Sequence, residues 1–322
     1  MVSSANSTVW LSGYIPEIPT PFDETGEIDL KAFIWLCERQ IQAGVSAIVV
    51  GETTGEFTTL TPAELDTLIR TAAGTANGRL RVIAGAGSNS TSEAVERTRR
   101  AELAGADAVL SVVPYYNKPM QAGIDAHFRT VANSTALPVV LHDIPARTIR
   151  ELTDETLLKL SESPQFIGFK DSTGDLSRPG RLRPLLRTNF RLLSGDDTTA
   201  LAFLASGGDG CVSILSNIVP AMCQAIFSNY RQGRMQPAQQ LQQRLWTLAA
   251  SVAKENPAAV KYALSFLGLM RPNPRLPLVE LSDQAKAEVT AAITTVMPDE
   301  KNASRAISVR DHACNAVPDG TY

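Results

Sequence analysis

The sequence contains few cysteines, and none stands at the spacing that metal sites and redox motifs use. Four cysteines occur among 322 residues, and no two of them form a Cys-X-X-Cys pair. Zinc sites and thioredoxin-like motifs depend on such pairs. We therefore interpret Cys37, Cys211, Cys223 and Cys314 as reduced thiols in or near a hydrophobic core.

Basic clusters and long apolar runs are also missing. The formal net charge is −3 and no stretch is rich in lysine and arginine, which excludes the charge pattern of a nucleic-acid-binding protein. No run of 18 apolar residues occurs, so no membrane-spanning helix is expected. The first eight residues lack the basic and apolar regions of a secretory signal. We expect a soluble, cytoplasmic protein with no nucleic-acid or membrane partner.

The first apolar segment leads into Pro19-Thr20-Pro21 and not into a Gly-X-Gly-X-X-Gly motif, so nothing indicates a dinucleotide site. Instead, short apolar runs alternate with longer amphipathic stretches along the chain. Such runs are typical of parallel strands that are buried on both faces. We predict eight strands, at residues 14–20, 47–50, 81–85, 108–113, 138–142, 166–170, 190–194 and 210–214.

Helix-length segments separate most of these strands. Asp29, Thr61 and Asp154 stand where N-terminal caps are expected, and Glu64 completes a capping box with Thr61. The predicted helices cover residues 30–43, 62–76, 92–103, 155–160, 181–186, 198–205 and 219–231. Eight such units in one chain indicate an α/β protein with a (β/α)8 TIM barrel.

The pattern changes after residue 233, where Pro-rich breaks separate three longer helical segments at 237–253, 258–267 and 282–296. We therefore divide the chain into an N-terminal extension (1–11), the barrel (12–233) and a C-terminal helical appendage (234–297). Residues 298–322 are polar and aperiodic, and we expect a flexible tail there.

In a TIM barrel the active site lies at the C-terminal ends of the strands, and polar residues follow several of the predicted strands. Thr53 and Thr54 follow strand 2, where their hydroxyls and nearby backbone N–H groups could hold a carboxylate. A turn built from glycine and threonine explains the same stretch. Strand 8 ends at Ile214, which we expect to bind substrate.

Strands 4 and 5 also end in candidate site residues. Tyr115 and Tyr116 start the loop after strand 4, where they either pack or relay protons. His142 ends strand 5, and its imidazole titrates near neutral pH when unperturbed. Arg147 follows in the same loop and could grip a carboxylate through two parallel hydrogen bonds. Histidine is also often partly buried for packing alone.

The strongest single signal is the end of strand 6, where Phe166-Ile167-Gly168-Phe169 runs directly into Lys170. A lysine at a barrel's strand end is partly desolvated, which lowers its pKa and frees the amine to attack a carbonyl. The competing interpretation is a lysine that extends to solvent or pairs with Asp171.

The order of these motifs resembles the dihydrodipicolinate synthase/N-acetylneuraminate lyase family of pyruvate-dependent class I aldolases. The resemblance runs over residues 14–296. It rests on the Pro19 to Phe22 segment and on the segments 51–56, 84–91, 114–119, 145–148, 168–174, 193–197 and 275–278.

The resemblance implies a Schiff base between Lys170 and the C2 carbonyl of pyruvate. Thr53 and Thr54 would hold the pyruvate carboxylate, and the resulting enamine would attack L-aspartate 4-semialdehyde in a step of lysine biosynthesis. Arg147 would bind the carboxylate of that second substrate. The resemblance further implies a homotetramer built from dimers, with no cofactor and no catalytic metal.

The family's proton relay joins the residue at Thr54 to two tyrosines. One matches Tyr116, which reaches the site across a dimer interface, but the other position holds His142. Glu52 and Phe57 likewise replace small residues of the common motif. These departures keep two alternatives open: an aldolase or dehydratase acting on another 2-oxo acid, such as a deoxy sugar acid, or a non-catalytic paralogue that binds a metabolite.

Many family members are inhibited by lysine at the dimer interface. Three residues here match that site, and three others replace its polar or aromatic positions: Asn89, Glu93 and Tyr115 match, whereas Phe57, Pro62 and Leu65 are the replacements. The resemblance therefore predicts weak or absent inhibition by lysine.

Overall fold

The computed structural model describes the backbone of residues 8–315 and the side chains of residues 8–304. Eight parallel strands form a closed barrel in sequence order, and β1 closes on β8 with Gly13 opposite Gly210. This confirms the predicted TIM barrel. The strands are β1 (Gly13–Ile18), β2 (Ala47–Val50), β3 (Arg81–Gly85), β4 (Ala108–Val112), β5 (Val139–Asp143), β6 (Phe166–Asp171), β7 (Arg191–Ser194) and β8 (Gly210–Ser213).

Helices follow the strands and surround the barrel. They are α1 (Leu30–Gln42), α2 (Pro62–Ala76), α3 (Thr91–Leu103), α4 (Gln121–Ala132), α5 (Pro145–Thr148), α6 (Asp154–Ser161), α7 (Arg178–Leu182), α8 (Ala200–Ala205) and α9 (Pro220–Arg231). The sequence prediction lacked α4, although Ile124, Phe128 and Val131 are buried at helical spacing.

The predicted helix caps are confirmed at two of the three positions. Asp29 accepts a hydrogen bond from the N–H of Ala32, and Thr61 forms the expected capping box with Glu64. The prediction of Asp154 as a cap is wrong by one residue, because Thr153 accepts the first free N–H and Asp154 begins α6. An acidic residue in the first turn still favours the helix through its dipole.

Apolar side chains that alternate along the strands fill the barrel interior towards the N-terminal ends of the strands. The inner cluster consists of Leu11, Ile15, Ala47, Val49, Ile83, Ala108, Leu110, Val140, Leu193 and Val212. Leu11 belongs to the predicted N-terminal extension, yet it is fully buried and closes the lower end of this cluster. Side chains above the cluster therefore face the C-terminal mouth of the barrel.

The appendage consists of α10 (Met235–Lys254), α11 (Ala258–Phe266) and α12 (Asp283–Asn315). A flexible tail was expected from residue 298, but the backbone remains helical to residue 315, because α12 continues through Pro298. Glu300 is buried and accepts hydrogen bonds from the N–H groups of Ala221 and Met222 at the start of α9. Pro298 has no backbone N–H to donate within the helix, and Glu300 ties α12 to α9 two residues later. The tail beyond residue 315 lies outside the described residues.

Within the described residues, no helix is long and apolar enough to cross a membrane. Cys37, Cys211 and Cys223 are buried and free, as predicted. The side chain of Cys314 lies outside the described part of the chain.

Candidate active site

Three inward-facing positions of the barrel carry polar side chains at its C-terminal mouth. Glu17 and His142 each follow an inward apolar residue by two positions, after Ile15 and Val140 respectively. Side chains two residues apart on a strand share a face, so they lie one layer above the inner cluster. Lys170 is the register partner of His142 across β5 and β6. The strand geometry therefore brings these three side chains together.

Lys170 is bound to a carboxylate that the sequence prediction did not assign to the site. Its Nζ donates to Glu17 Oε2 at 2.7 Å, and the two residues are 4% and 2% exposed. Glu52 Oε2 lies 3.8 Å from the same nitrogen. The alternative in which Lys170 pairs with Asp171 is thus replaced by a pairing with Glu17, 153 residues away in sequence.

The expectation of a lowered lysine pKa is wrong for this site. Burial does oppose the charged amine, but the carboxylates of Glu17 and Glu52 outweigh it and raise the pKa of Lys170. The free protein therefore holds Lys170 as an ammonium ion, which has no lone pair for attack on a carbonyl. A base must remove a proton before a Schiff base can form.

Glu52, His142 and Ser172 form a hydrogen-bonded row beside this ion pair. His142 Nδ1 lies 3.1 Å from Glu52 Oε1, and His142 Nε2 lies 3.3 Å from Ser172 Oγ. A carboxylate only accepts hydrogen bonds, so the proton sits on Nδ1 and Ser172 donates to Nε2.

Electrostatics keep this row in a defined charge state. Burial opposes ionisation of Glu52, but Lys170 and His142 outweigh that effect and hold its pKa well below the usual range. Burial, reinforced by the nearby Lys170 ammonium, lowers the pKa of His142 despite the opposing Glu52. The imidazole is therefore neutral at neutral pH, next to an ionised carboxylate.

The two threonines after β2 present their backbone amides to these carboxylates. The N–H of Thr53 donates to Glu52 Oε2, and the N–H of Thr54 donates to Glu17 Oε1 at 2.5 Å. Thr54 Oγ1 accepts a hydrogen bond from Asn256 Nδ2 at 3.1 Å. The amides expected to bind a substrate carboxylate are thus occupied by two carboxylates of the protein itself.

A cavity of about 260 Å³ opens above this network. It is lined by the strand 2 loop, the strand 5 loop and the appendage, namely by Glu52, Thr53, Glu56, Phe57, Thr58, Thr59, Val112, Tyr115, Ile144, Arg147, Thr148, Asn256, Pro257, Pro277 and Leu278. Arg147 Nη2 donates to the backbone oxygen of Asn256 at 3.3 Å. Glu52 lines the cavity and its Oε2 also lies 3.8 Å from Lys170 Nζ, so it contributes to both the cavity wall and the lysine network.

Two of the predicted site residues lie apart from this network. Tyr116 is 86% exposed and has a left-handed backbone (φ 70°), a conformation that non-glycine residues adopt rarely. It therefore projects from the surface of its own chain. The backbone N–H of Ile214 donates to Asp197 Oδ2 at 2.9 Å, and Ile214 does not line the cavity described above.

Asp143, the neighbour of His142, points away from the site. Its Oδ2 accepts hydrogen bonds from Arg178 Nη1 at 2.9 Å and from the N–H of Leu152. Arg178 is itself buried and also binds Asp154 at 2.8 Å. This ion pair fixes the end of β5, and with it the position of His142.

Sequence reasoning missed Glu17, Ser172 and Asn256 as members of the site. A signal for Glu17 was present, because a carboxylate inside a strand that is buried on both faces needs a partner charge. Ser172 and Asn256 carry no comparable signal, since each is a common polar residue in a loop. The appendage position of Asn256 becomes informative only when the fold brings it over the barrel mouth.

Phe57, Tyr115 and Arg97 pack beside the cavity, where the family's lysine-binding site was expected. The rings of Phe57 and Tyr115 meet edge to face at 6.4 Å, and the Arg97 guanidinium lies 5.6 Å from the Phe57 centroid. Arg97 also forms an ion pair with Glu93, whose other oxygen accepts a hydrogen bond from Ser88. The Glu93 carboxylate thus already has a cationic partner within the chain.

Within the described residues, no group of three or more histidine, cysteine, aspartate or glutamate side chains could hold a metal ion. The charged centre of the site is Lys170 with its two carboxylates.

Comparisons with known proteins agree with the motif resemblance. The model of the dihydrodipicolinate synthetase family matches residues 10–296. The 4-hydroxy-tetrahydrodipicolinate synthase of Gluconobacter oxydans is 43% identical over 290 residues, which cover 90% of this chain and 98% of that protein. The resemblance deduced from the motifs is therefore confirmed over most of the chain.

Solved structures extend the comparison to the fold. Dihydrodipicolinate synthase from Bacillus anthracis has a TM-score of 0.86 at 36% identity, with 88% of this chain and 97% of that chain covered. Dihydrodipicolinate synthase from Cyanidioschyzon merolae, solved with lysine bound, has a TM-score of 0.86 at 38% identity, covering 89% and 98%.

Proposed function

Because this chain belongs to the dihydrodipicolinate synthetase family, we propose that it condenses pyruvate with L-aspartate 4-semialdehyde to 4-hydroxy-tetrahydrodipicolinate, a lyase reaction of lysine biosynthesis. The observation that carries the proposal is the buried Lys170 at the C-terminal end of β6, next to the Thr53 and Thr54 amides. The names of the relatives favour this reaction over a deoxy-sugar-acid lyase and over a non-catalytic paralogue. The expected cytoplasmic location remains a prediction.

In the proposed reaction, the Lys170 amine adds to C2 of pyruvate and water leaves, so that an iminium ion forms. The iminium acts as the electron sink when a C3 proton departs, and no organic cofactor or metal is needed for that step. The enamine carbon then forms a bond with the aldehyde carbon of the second substrate. Its amino group finally attacks C2, displaces Lys170 and closes the ring.

We assign the proton transfers after iminium formation to His142 with Glu52. The neutral imidazole and the adjacent carboxylate form an acid–base pair next to the Lys170 nitrogen. His142 stands where the family has a tyrosine, and Glu52 stands where the common motif has a small residue. Thr54 is expected to contribute through its hydroxyl, which Asn256 orients.

Tyr116 is proposed to act in a neighbouring subunit. Its exposed side chain and left-handed backbone suit a residue that reaches out of its own chain. The site would then be complete only in a dimer, in agreement with the homotetramer built from two dimers that the resemblance implies. Ile214 remains a predicted substrate contact at the barrel mouth.

A direct assay of the condensation tests the proposed function. The purified protein is incubated with pyruvate and L-aspartate 4-semialdehyde, and the cyclic product is detected by mass spectrometry. We expect turnover with this pair. If the protein turned over a deoxy sugar acid but not this substrate pair, an aldolase or dehydratase of another 2-oxo acid would be favoured. If it turned over neither, a non-catalytic paralogue would be favoured.

Replacement of Arg147 by alanine should weaken binding of the second substrate only. Its guanidinium lines the cavity, and loss of a bidentate carboxylate contact costs about 2 kcal/mol, or a ~30-fold rise in KM. The KM for aspartate semialdehyde should rise, while the KM for pyruvate stays within a small factor. Arg150→Ala, in the same exposed loop, serves as the matched control. Equal effects on both substrates would contradict the assignment.

Free lysine should inhibit the enzyme weakly or not at all. Arg97 already forms an ion pair with Glu93, one of the residues that match the family's lysine site, and the Phe57 ring packs against Tyr115, another of them. Inhibition is measured by titrating lysine at a pyruvate concentration near KM. A submillimolar inhibition constant would refute this prediction. In that case, the inhibition constant of Arg97→Leu would show whether the Arg97–Glu93 ion pair affects lysine binding.

A further inference from the structure

We propose that Glu17 is the acid–base residue of Schiff-base formation: it takes a proton from the Lys170 ammonium and later returns that proton to the departing hydroxyl of the carbinolamine. The inference rests on the proposed role of Lys170 and adds a residue for which the family motifs provide no role. It assigns to Glu17 a step that precedes the proton transfers attributed to His142.

The contact geometry singles out Glu17 as the proton acceptor. Its Oε2 lies 2.7 Å from Lys170 Nζ, within the range of a charge-assisted hydrogen bond. Glu52 lies at 3.8 Å and its two oxygens already accept hydrogen bonds from Thr53 and His142. Because Lys170 is almost completely buried, bulk water has little access to the ammonium group.

The state of the free site shows why such a base is needed. The two carboxylates stabilise the ammonium form of Lys170, so the nucleophile is stored in an unreactive form. The same contact that stabilises the ammonium ion also provides the shortest path for its proton. A transfer along a 2.7 Å hydrogen bond requires no movement of either side chain.

The proton transfer also prepares the subsite for the substrate carboxylate. Oε1 of Glu17 accepts a hydrogen bond from the N–H of Thr54, which is one of the amides expected to bind pyruvate. A 2-oxo acid that enters next to two ionised carboxylates is repelled by both. Once Glu17 is protonated, its charge is gone and its hydrogen bond to Thr54 weakens, so the substrate carboxylate can take over that amide.

The step balances without an external proton. The Lys170 ammonium and the Glu17 carboxylate become an amine and a carboxylic acid. The amine forms the C–N bond to C2, and one of its protons passes to the former carbonyl oxygen, which gives a neutral carbinolamine. Glu17 then donates its proton to that hydroxyl, the C–O bond breaks and water leaves. The products are the iminium ion, water and the original Glu17 carboxylate.

The test is the rate at which pyruvate forms its adduct on Lys170, measured by rapid quenching into borohydride across the neutral pH range. Wild type, Glu17→Gln and Glu17→Asp are compared, with peptide mapping to locate the adduct. Glu300→Gln is the matched control, because Glu300 is equally buried and bound to backbone amides but lies under α9. Thermal melting establishes that each variant is folded.

The wild type and Glu300→Gln should show adduct formation that is nearly independent of pH. Glu17→Gln should form the same Lys170 adduct at least about 100-fold more slowly at neutral pH, with a rate that rises in proportion to hydroxide concentration. Glu17→Asp should recover part of the rate. A Glu17→Gln rate within a few-fold of wild type, or a profile as flat as that of wild type, overturns the proposal. Absence of the adduct in the wild type would instead overturn the proposed function.

Discussion

Replacement of Lys170 by alanine is expected to lower kcat for the condensation at least about 10⁴-fold, which corresponds to ~5 kcal/mol of lost transition-state stabilisation. In the proposed reaction the enamine exists only as a covalent adduct of this amine, so no other side chain is expected to take over its role. Turnover of more than about one part in a hundred by Lys170→Ala would contradict the assignment.

A second substitution separates chemistry from stability. Lys170→Ala leaves Glu17 and Glu52 buried without their cation, and breaking a buried ion pair in this way costs about 3–5 kcal/mol. Lys170→Arg keeps a cation beside Glu17 but cannot form a Schiff base. It should lose activity as completely as Lys170→Ala while it retains a higher melting temperature. Lys159→Ala, an exposed lysine on α6, should leave both quantities unchanged.

Replacement of His142 by alanine is expected to reduce kcat by about 10²–10⁴-fold, the usual contribution of a general acid–base residue. The imidazole is completely buried and is held by Glu52 on one side and Ser172 on the other. Pyruvate should still form its adduct on Lys170, because the proton for that step goes to Glu17 in our account. The predicted signature is therefore a normal adduct with slow condensation.

His127 provides the control for the loss of a buried histidine. It lies on α4, is also buried, and bonds Thr91 through Nδ1 at 3.0 Å, remote from the Lys170 network. His127→Ala should affect stability but leave the kcat of the folded enzyme close to wild type. If His142→Ala and His127→Ala lowered kcat to the same small extent, the proposed acid–base role of His142 would be refuted.

Much of the barrel could be predicted because its strands carry a local signal. Each apolar run is long enough to span the barrel and is followed by turn residues, and all eight observed strands lie within two residues of their predicted bounds. The errors lie where local pattern is weak. Helix α4 contains Gly123 near its start, and α12 contains Pro298, a residue that usually ends a helix.

The candidate site was predictable residue by residue but not as a network. His142 and Glu52 were recognised as two separate departures from the family motif, whereas the structure joins them by a hydrogen bond across 90 positions of sequence. Glu17 was missed although its place in a buried strand was a signal, because its partner Lys170 lies 153 positions away in sequence. The prediction of a lowered Lys170 pKa failed for the same reason: burial can be predicted from a strand's composition, but a counter-charge from another strand cannot.

The two departures from the family motif, His142 and Glu52, depend on each other for a physical reason. A tyrosine relay needs no counter-charge, because a phenol is neutral at neutral pH. An imidazole in the same buried position needs a group that fixes its proton on one nitrogen, and Glu52 supplies it. The second carboxylate, Glu17, then balances Lys170. In the proposed mechanism, a neutral tyrosine relay is therefore replaced by a histidine whose proton a carboxylate holds in place.

The most direct test of the central claim is to trap the protein with pyruvate and borohydride and to map the modified peptide. We expect one reduced pyruvate per chain, located on Lys170, and none in Lys170→Arg. An adduct on another lysine, or no adduct at saturating pyruvate, would contradict that claim.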